Sequence, residues 1–245
     1  MHRVIVPPQT ATPSSILLND PGALHHLRVV RRAKRGEAIV CVDGHGREYL
    51  GKIARLTSKE LTVRIDRAEH TKSLGAEVWL ACALVKGERF DWMVQKTAEL
   101  GVARVSPLLT ERTVVRLTDE QGQRKRARWQ RIAEEAVKQC GRSTLPLIEP
   151  PCRFERFLPR LRGTPLVLIP TLEAGTVPLQ EALKKHHDVK KVAVLIGPEG
   201  DFSREEIASA VACGAQPVSL GPLTLRTETA ALAVLAVLSY ELQRG

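Results

Sequence analysis

From residue 78 onward, short apolar segments alternate with segments of helical periodicity, and this alternation limits the possible folds more than any other feature. Buried strands are predicted at VWLACALV (78–85), VARVSPLL (102–109), TPLVLIP (164–170), KKVAVLIGP (190–198) and QPVSLGP (216–222). Helices are predicted at residues 89–101, 120–140, 178–186, 203–214 and 226–243. Strands that alternate with helices predict an α/β fold with a mostly parallel sheet and helices on both faces.

The first seventy residues have a different texture, with four short β-like segments separated by turn residues. These segments are RVIV, EAIVCVD, REYLGKIARL and ELTVRID. Short strands at this spacing, with few helical patterns between them, predict a small β-barrel. The polar segment 68–77 marks the predicted boundary, so we expect one domain at 1–70 and a second at 75–245.

The chain is strongly basic. Lysine and arginine number 37 against 27 acidic residues, which gives a formal net charge of +10. Such an excess favours polyanions through phosphate contacts, although a merely basic protein is the alternative reading of net charge alone. Two clusters favour the first reading: RVVRRAKR (28–35) and RKRARWQR (124–131). Aromatic residues make up only 4% of the chain, so we expect binding through phosphates and shape rather than base stacking.

The sequence lacks the motifs of several classes of protein. The five cysteines form no CxxC pair and the histidines show no HxxxH or HExxH spacing, so we expect reduced structural thiols and no metal. There is no GxGxxG, no P-loop and no GxSxG. No apolar run reaches the roughly 18–20 residues of a membrane helix, and no secretory signal begins the sequence, so a soluble cytoplasmic protein is expected.

Two loops at predicted strand ends are the candidate sites, because open parallel sheets bind ligands there. The first is IGPEGDFS (196–203), whose glycines allow close approach of the backbone to a ligand. Ser203 and Glu206 predict a capping box for the next helix, with Phe202 as its hydrophobic staple. An ordinary strand-to-helix turn is the alternative.

The second loop is LGPLTLRTETA (220–230), a polar stretch before a very apolar helix. Arg226 would stand near the N-terminus of that helix, where the dipole disfavours a cation. An anionic partner would explain the arginine, and a surface ion pair with Glu228 is the simpler alternative.

At these loops the sequence resembles the SPOUT class of methyltransferases. Further blocks, HHLRVVRRAKRGEAIVCVDGHGREY, KGERFDWMVQKTAELGV, TERTVV and RWQRIAEEAVKQCGRSTLP, resemble the RsmE family over nearly the whole chain. Members of that family methylate ring nitrogen 3 of a uridine in 16S ribosomal RNA. The resemblance implies a PUA-like β-barrel, followed by a knotted α/β domain that forms a homodimer.

The same resemblance implies S-adenosylmethionine as cofactor, bent across the knot and held by three loops. The implied cofactor-binding residues are Thr171, Ile196, Gly197, Pro198, Glu199, Gly200, Leu220, Gly221, Leu225, Thr227, Thr229 and Ala230. Two positions depart from the family pattern. Asp201 stands where a second glycine is common, which leaves the loop conformation open, and Leu223 stands where an arginine is frequent.

Two candidate catalytic residues and five candidate RNA contacts follow from the loops, the basic clusters and the resemblance. Arg226 is the candidate to stabilise the uridine anion, and Glu199 either accepts the proton or braces its loop. The candidate RNA contacts are Arg28, Arg31 and Arg32, with Arg112 and Arg142 as weaker candidates on the catalytic domain. The expected partner is 16S ribosomal RNA, within the small subunit, with no membrane partner. Methylation of another base or of a ribose 2′-hydroxyl, and a non-catalytic assembly factor, are the competing hypotheses.

Overall fold

The computed structural model describes residues 1–71, 75–173, 175–186 and 188–242 of the chain. It divides into two compact units, Met1–Ser73 with Val137–Leu145, and Leu74–Ala136 with Pro146–Gly245. Residues 72–74 of the expected domain boundary, and 243–245 at the end of the expected second domain, lie outside the described residues. Segment 137–145, which was expected in the second domain, groups with the first unit because it pairs there: Gly46 N donates to Ser143 O at 3.1 Å and Leu145 N to Gly44 O at 2.9 Å.

The first unit is built on a five-stranded sheet in the order β1-β3-β4-β5-β2. Its strands are β1 (His2–Ile5), β2 (Ser15–Leu18), β3 (Ala38–Val42), β4 (Arg47–Leu56) and β5 (Leu61–His70). The pairing of β4 with β5 shifts register twice, at Leu50/Gly51 and at Ile53/Arg55. Such irregularities bend a strand and increase its twist, which wraps the sheet into a half-barrel around its own apolar core.

Gly51 allows the first of these bends. A Cβ atom at this position would lie 2.1 Å from the carbonyl oxygen of Arg64 on the neighbouring strand. Only glycine can bring the two backbones this close.

A short helical segment in the first unit was not predicted from the sequence. Helix α1 (Pro21–His25) is capped by Asp20, whose carboxylate accepts a hydrogen bond from Ala23 N at 2.6 Å. One π-helical turn, His26–Val30, follows it directly. Leu24 and Leu27 are buried in the core, so the basic residues after them are turned outward.

The second unit is an eight-stranded sheet whose described strand pairs are all parallel. Its main path runs β11-β13-β10-β12-β6-β7-β8, and β9 also pairs with β7. The strands are β6 (Glu77–Ala83), β7 (Arg104–Leu109), β8 (Leu147–Ile148), β9 (Cys152–Arg153), β10 (Leu166–Pro170), β11 (Val177–Pro178), β12 (Lys191–Ile196) and β13 (Ala215–Ser219). The parallel sheet predicted from the alternation is confirmed.

Helices cover both faces of this sheet, and two apolar cores lie between them and the strands. The helices are α2 (Arg89–Glu99), α3 (Asp119–Cys140), α4 (Phe154–Phe157), α5 (Leu179–Lys184), α6 (Arg204–Ala212) and α7 (Thr227–Leu242). Alternate residues of β6 face opposite cores, with Leu80 in one and Ala81 in the other. In the described part of the chain, no helix is long and apolar enough to cross a membrane.

Local rules set the ends of the helices near the site. Helix α6 begins with the predicted capping box, since Ser203 Oγ accepts from Glu206 N and Glu206 Oε2 accepts from Ser203 N. Phe202 is 1% exposed and packs in the same core as Ile207, as a hydrophobic staple does. Gly101 follows α2 with a φ of 94°, the left-handed conformation that ends a helix.

Candidate cofactor pocket

Three turns meet at one edge of the parallel sheet. Strand β10 lies between β12 and β13, so the carboxyl ends of these three strands are adjacent. Each strand is followed there by a turn, beginning at Thr171, at Gly197 and at Leu220. Ligands of open parallel sheets bind at this edge, which makes the three turns the candidate site.

Side-chain hydrogen bonds join the turns to one another. Thr227, at the start of α7, donates from Oγ1 to the carbonyl oxygen of Gly197 at 2.9 Å. Asp201 Oδ2 accepts from Thr171 Oγ1 at 2.7 Å and from Leu172 N at 2.9 Å. The two loops singled out in the sequence therefore lie together, on the same side of the sheet.

The turns enclose a cavity that is open to solvent on one side. Ten of the twelve residues expected to bind the cofactor line it; Gly200 and Thr229 do not. The lining also includes residues that the sequence did not single out as ligands: Pro170, Leu172, Asp201, Ser219, Leu223 and Thr224. Most of these are chain neighbours of predicted residues, and Asp201 and Leu223 had been noted only as departures from the family pattern.

The lining of the cavity is acidic and apolar. Among the described residues, it contains two carboxylates, Glu199 and Asp201, and no lysine, arginine or histidine. Leu172 and Leu223 are 67% and 72% exposed, so they present apolar surface at the mouth of the cavity. In a chain of net charge +10, this lining suits a ligand that combines a positive charge with an apolar ring system.

The two candidate catalytic residues have different surroundings. Glu199 pairs with Arg89 of α2, with 2.9 Å between Oε1 and the guanidinium nitrogen. Arg226 lies between Leu225 and Thr227, which both line the cavity, but its own side chain is exposed. The expected alternative, an Arg226–Glu228 surface pair, is not formed: Glu228 is 7% exposed and its Oε2 has no hydrogen-bond partner among the described residues.

The turn after β12 is braced from outside the cavity. Arg112 donates to the carbonyl oxygen of Gly200 at 2.5 Å. Glu206 Oε1 accepts from Glu111 N at 2.9 Å, which ties the start of α6 to the segment after β7. Arg112, expected to contact RNA, thus has a structural contact with the candidate site.

Cys82 is the thiol nearest to this edge on β6. It is fully buried, and burial followed by the charges of Glu228 and Glu199 raises the pKa of the thiol well above its ordinary value. A thiol held protonated is a poor nucleophile. Cys82 is therefore not a candidate nucleophile.

Comparison with known proteins agrees with this geometry. A family model described as an RNA methyltransferase domain matches residues 72–239, and an RNA methyltransferase PUA domain matches residues 18–66. A relative from Synechocystis, ribosomal RNA small subunit methyltransferase E, is 33% identical over 99% of this chain and 78% of its own length.

The chain belongs to the ribosomal RNA small subunit methyltransferase E family.

Other members of the family extend the comparison. The methyltransferase E of Bacillus subtilis is 29% identical, over 91% of this chain and 90% of its own length. A solved methyltransferase E from Neisseria gonorrhoeae, bound to S-adenosylmethionine, has a TM-score of 0.88 and 28% identity, with 98% and 97% of the two chains covered. A putative methyltransferase from Legionella pneumophila, also with bound S-adenosylmethionine, has a TM-score of 0.86 and 36% identity, with 97% and 96% covered. The predicted fold class, a SPOUT-type α/β domain with an N-terminal PUA-like unit, is confirmed.

In this methyltransferase E family member, the first basic cluster is exposed on the first unit. Arg28, Arg31 and Arg32 make no ion pair within the described ranges, and they flank Val29 and Val30, which are 55% and 61% exposed. Arg32 has a φ of 50°, which is uncommon for a residue with a side chain. A π-helical turn and an unusual backbone angle often mark functional sites.

The second basic cluster is largely occupied by intramolecular contacts. Arg124 pairs with Glu120, and Arg128 donates to Asp91 Oδ2 at 2.9 Å. Arg126 donates to the carbonyl oxygen of Ile148 at 3.0 Å. Three of the five basic residues of this cluster therefore make contacts within the chain, while their side chains stay exposed.

Arg142 lies in the first unit, not in the catalytic domain where it was expected. It is partly buried, and burial lowers the pKa of its guanidinium. Its side chain donates to Thr144 Oγ1 at 3.0 Å and its carbonyl oxygen accepts from Arg3 at 2.8 Å. These contacts give Arg142 a structural role in closing segment 137–145 onto the half-barrel.

Proposed function

We propose that this protein transfers a methyl group from S-adenosylmethionine to ring nitrogen 3 of a uridine in 16S ribosomal RNA. The observation that carries the proposal is the cavity at the three joined turns, acidic and apolar in a basic chain. Membership of the methyltransferase E family supports the reaction and the class of RNA.

The residues present fit the cofactor. S-adenosylmethionine carries a sulfonium and an ammonium group, which Glu199 and Asp201 complement, and an adenine ring, which Ile196, Leu225 and Ala230 can cover. When bound, it supplies an already activated methyl group. The chain has to hold the acceptor base in line with that methyl group and keep it there.

The acceptor nitrogen carries a proton at neutral pH and becomes nucleophilic only when the proton leaves. The negative charge then spreads onto the flanking carbonyl oxygens of the base. Arg226 is exposed beside two lining residues and has no ion-pair partner in the described chain, so its guanidinium is available to stabilise this charge.

Glu199 is the second candidate for the proton. Its carboxylate lines the cavity but already pairs with Arg89 at 2.9 Å. If Glu199 accepted a proton, its ion pair with Arg89 would be lost. Glu199 is therefore better suited to bracing its loop than to acting as the base.

The first unit would dock the RNA through Arg28, Arg31 and Arg32, which lie in its expected RNA-binding domain 1–70, and the second unit, without segment 137–145, would carry out catalysis. The protein would act in the cytoplasm, on RNA within the small ribosomal subunit. It would act as a homodimer, as the family resemblance implies, and the largely apolar helix α7, with Val237 exposed to 38%, is compatible with this.

The test is to map methylated nucleosides in 16S ribosomal RNA from cells with and without this protein. We expect one N3-methyluridine, located by mass spectrometry of nuclease fragments, to disappear in its absence and to return with the wild-type chain. Loss of a 2′-O-methyl group or of another methylated base would contradict the proposed acceptor. An unchanged methylation pattern would contradict the reaction itself.

Removing charge from the first basic cluster should weaken RNA binding and its dependence on salt. In the double variant Arg31→Gln, Arg32→Asn, we expect the slope of log K against log salt to fall by up to about 2, because each lost phosphate contact releases about one counterion fewer. Asparagine is chosen because it tolerates the positive φ of Arg32. The measurement is fluorescence anisotropy with a 16S fragment at several salt concentrations.

The matched control is the double variant Arg64→Gln, Arg67→Gln. These arginines lie on β5 of the same unit and pair with Asp66 and Glu69. This variant should keep the wild-type slope. If the two double variants have the same slope, Arg31 and Arg32 do not dock the RNA.

A further inference from the structure

Asp201 has a backbone conformation that requires a reason. Its φ is 62°, in the left-handed region, which glycine adopts freely and which aspartate and asparagine adopt more often than other residues with a side chain. The following residue begins the capped start of α6, so the turn cannot relax toward the helix. A residue held in this conformation is a candidate for a functional role.

The carboxylate of Asp201 uses this conformation to reach two parts of the pocket. Oδ2 accepts hydrogen bonds from Thr171 Oγ1 and Leu172 N, in the turn after β10. Oδ1 accepts from Phe202 N at 2.7 Å. The side chain thereby fixes the turn after β10 to the turn after β12, and both turns form walls of the cavity.

The three donors to Asp201 are a hydroxyl and two backbone amides, which are all uncharged. No cation pairs with this carboxylate in the described residues, whereas Glu199, the other acid of the lining, pairs with Arg89. The carboxylate of Asp201, a residue of the cavity lining, therefore has no neutralising cation among the described residues.

We propose that Asp201 is a specificity-determining residue that makes the pocket prefer the positively charged methyl donor over its uncharged thioether product. This inference rests on the proposed function. Methyl transfer removes the positive charge from sulfur, so a carboxylate held at the pocket wall binds the donor more strongly than the product. The preference would help the product leave and limit its inhibition of the enzyme.

The test compares the dissociation constants of S-adenosylmethionine and S-adenosylhomocysteine by calorimetry. In Asp201→Asn, which tolerates the left-handed conformation and keeps an acceptor oxygen, we expect the preference for the donor to fall about tenfold, mainly through weaker donor binding. Asp201→Gly, which removes the backbone strain together with the charge, should show the same loss of preference. The preference of the wild-type protein for the donor should shrink at high salt, because salt screens the attraction between the carboxylate of Asp201 and the positive charge of the donor.

The matched control is Glu205→Gln, which makes the same change of charge at an exposed position of α6 outside the lining. It should retain the wild-type preference. Melting temperatures of the ligand-free variants report separately on folding. A preference in Asp201→Asn within about twofold of wild type, or an equal loss of affinity for both ligands, would overturn the inference. Failure of the wild-type protein to bind S-adenosylmethionine would instead overturn the proposed function.

Discussion

Arg226→Ala is expected to lower the rate of methyl transfer about 10²–10³-fold while the affinity for S-adenosylmethionine changes less than about threefold. Arg226 lies outside the cavity lining, so it has no contact there that the cofactor would lose. Its exposed guanidinium is placed to act on the acceptor base, where charge develops only as the reaction proceeds. Loss of a contact that is made only in the transition state lowers the rate without changing the binding of the cofactor.

The measurement is the single-turnover rate with saturating RNA, together with calorimetry for the cofactor. Arg162→Ala removes the same charge from an exposed loop of the second unit and serves as the control. Its rate should stay within about twofold of wild type. An unchanged single-turnover rate in Arg226→Ala would eliminate the proposed role.

Trp129→Ala should lower the free energy of unfolding by about 3–5 kcal/mol. Trp129 stands in the second basic cluster. The structure buries it to 1% exposure, with its ring centroid 4.5 Å from that of Phe90 and its Nε1 donating to Asp91 at 2.8 Å. The substitution would leave a large cavity between α2 and α3.

Chemical denaturation followed by circular dichroism measures this loss. Trp129→Phe keeps an aromatic six-membered ring but removes part of the buried indole together with its hydrogen bond, so we expect a loss of about 1–3 kcal/mol and unchanged RNA affinity. Trp92→Ala, at a 46% exposed position of α2, should change stability by less than about 0.5 kcal/mol. A stable Trp129→Phe variant with clearly weaker RNA binding would show that the indole contacts RNA.

Features that depend on residues close together in the chain could be predicted from the sequence. The capping box of Ser203 and Glu206 and the helix end at Gly101 formed as expected, because each depends on the backbone within one or two turns. The five longer strands of the parallel sheet were also found, and in β10 and β12, which are buried on both faces, nearly every residue is apolar. Four short strands were missed, namely β2, β8, β9 and β11, which have four residues or fewer each. Strand β1 has the same length as β2 but was predicted, because its segment RVIV is largely β-branched and apolar.

The pocket was predicted in outline, because the resemblance identified its three turns in advance. The interactions that shape it were not predicted. Asp201 appeared in the sequence only as a residue in the place of a glycine, and its hydrogen bond to Thr171 spans 30 positions of the chain. The pairing of Glu199 with Arg89 spans still more of the chain. No local pattern encodes such partners.

The sequence by itself determined the α/β fold of the second unit, the basic character of the chain and the two loops that carry the site. These follow from periodicity, composition and short motifs, which act through neighbouring residues. Only the tertiary structure decided which charges are available: it left the cluster at 28–35 exposed, paired much of the cluster at 124–131, buried Glu228 and placed Asp201 on the cavity wall. The physical reason is that the effect of a charge depends on its solvent exposure and its nearest partner in space, and folding sets both through contacts between distant parts of the chain.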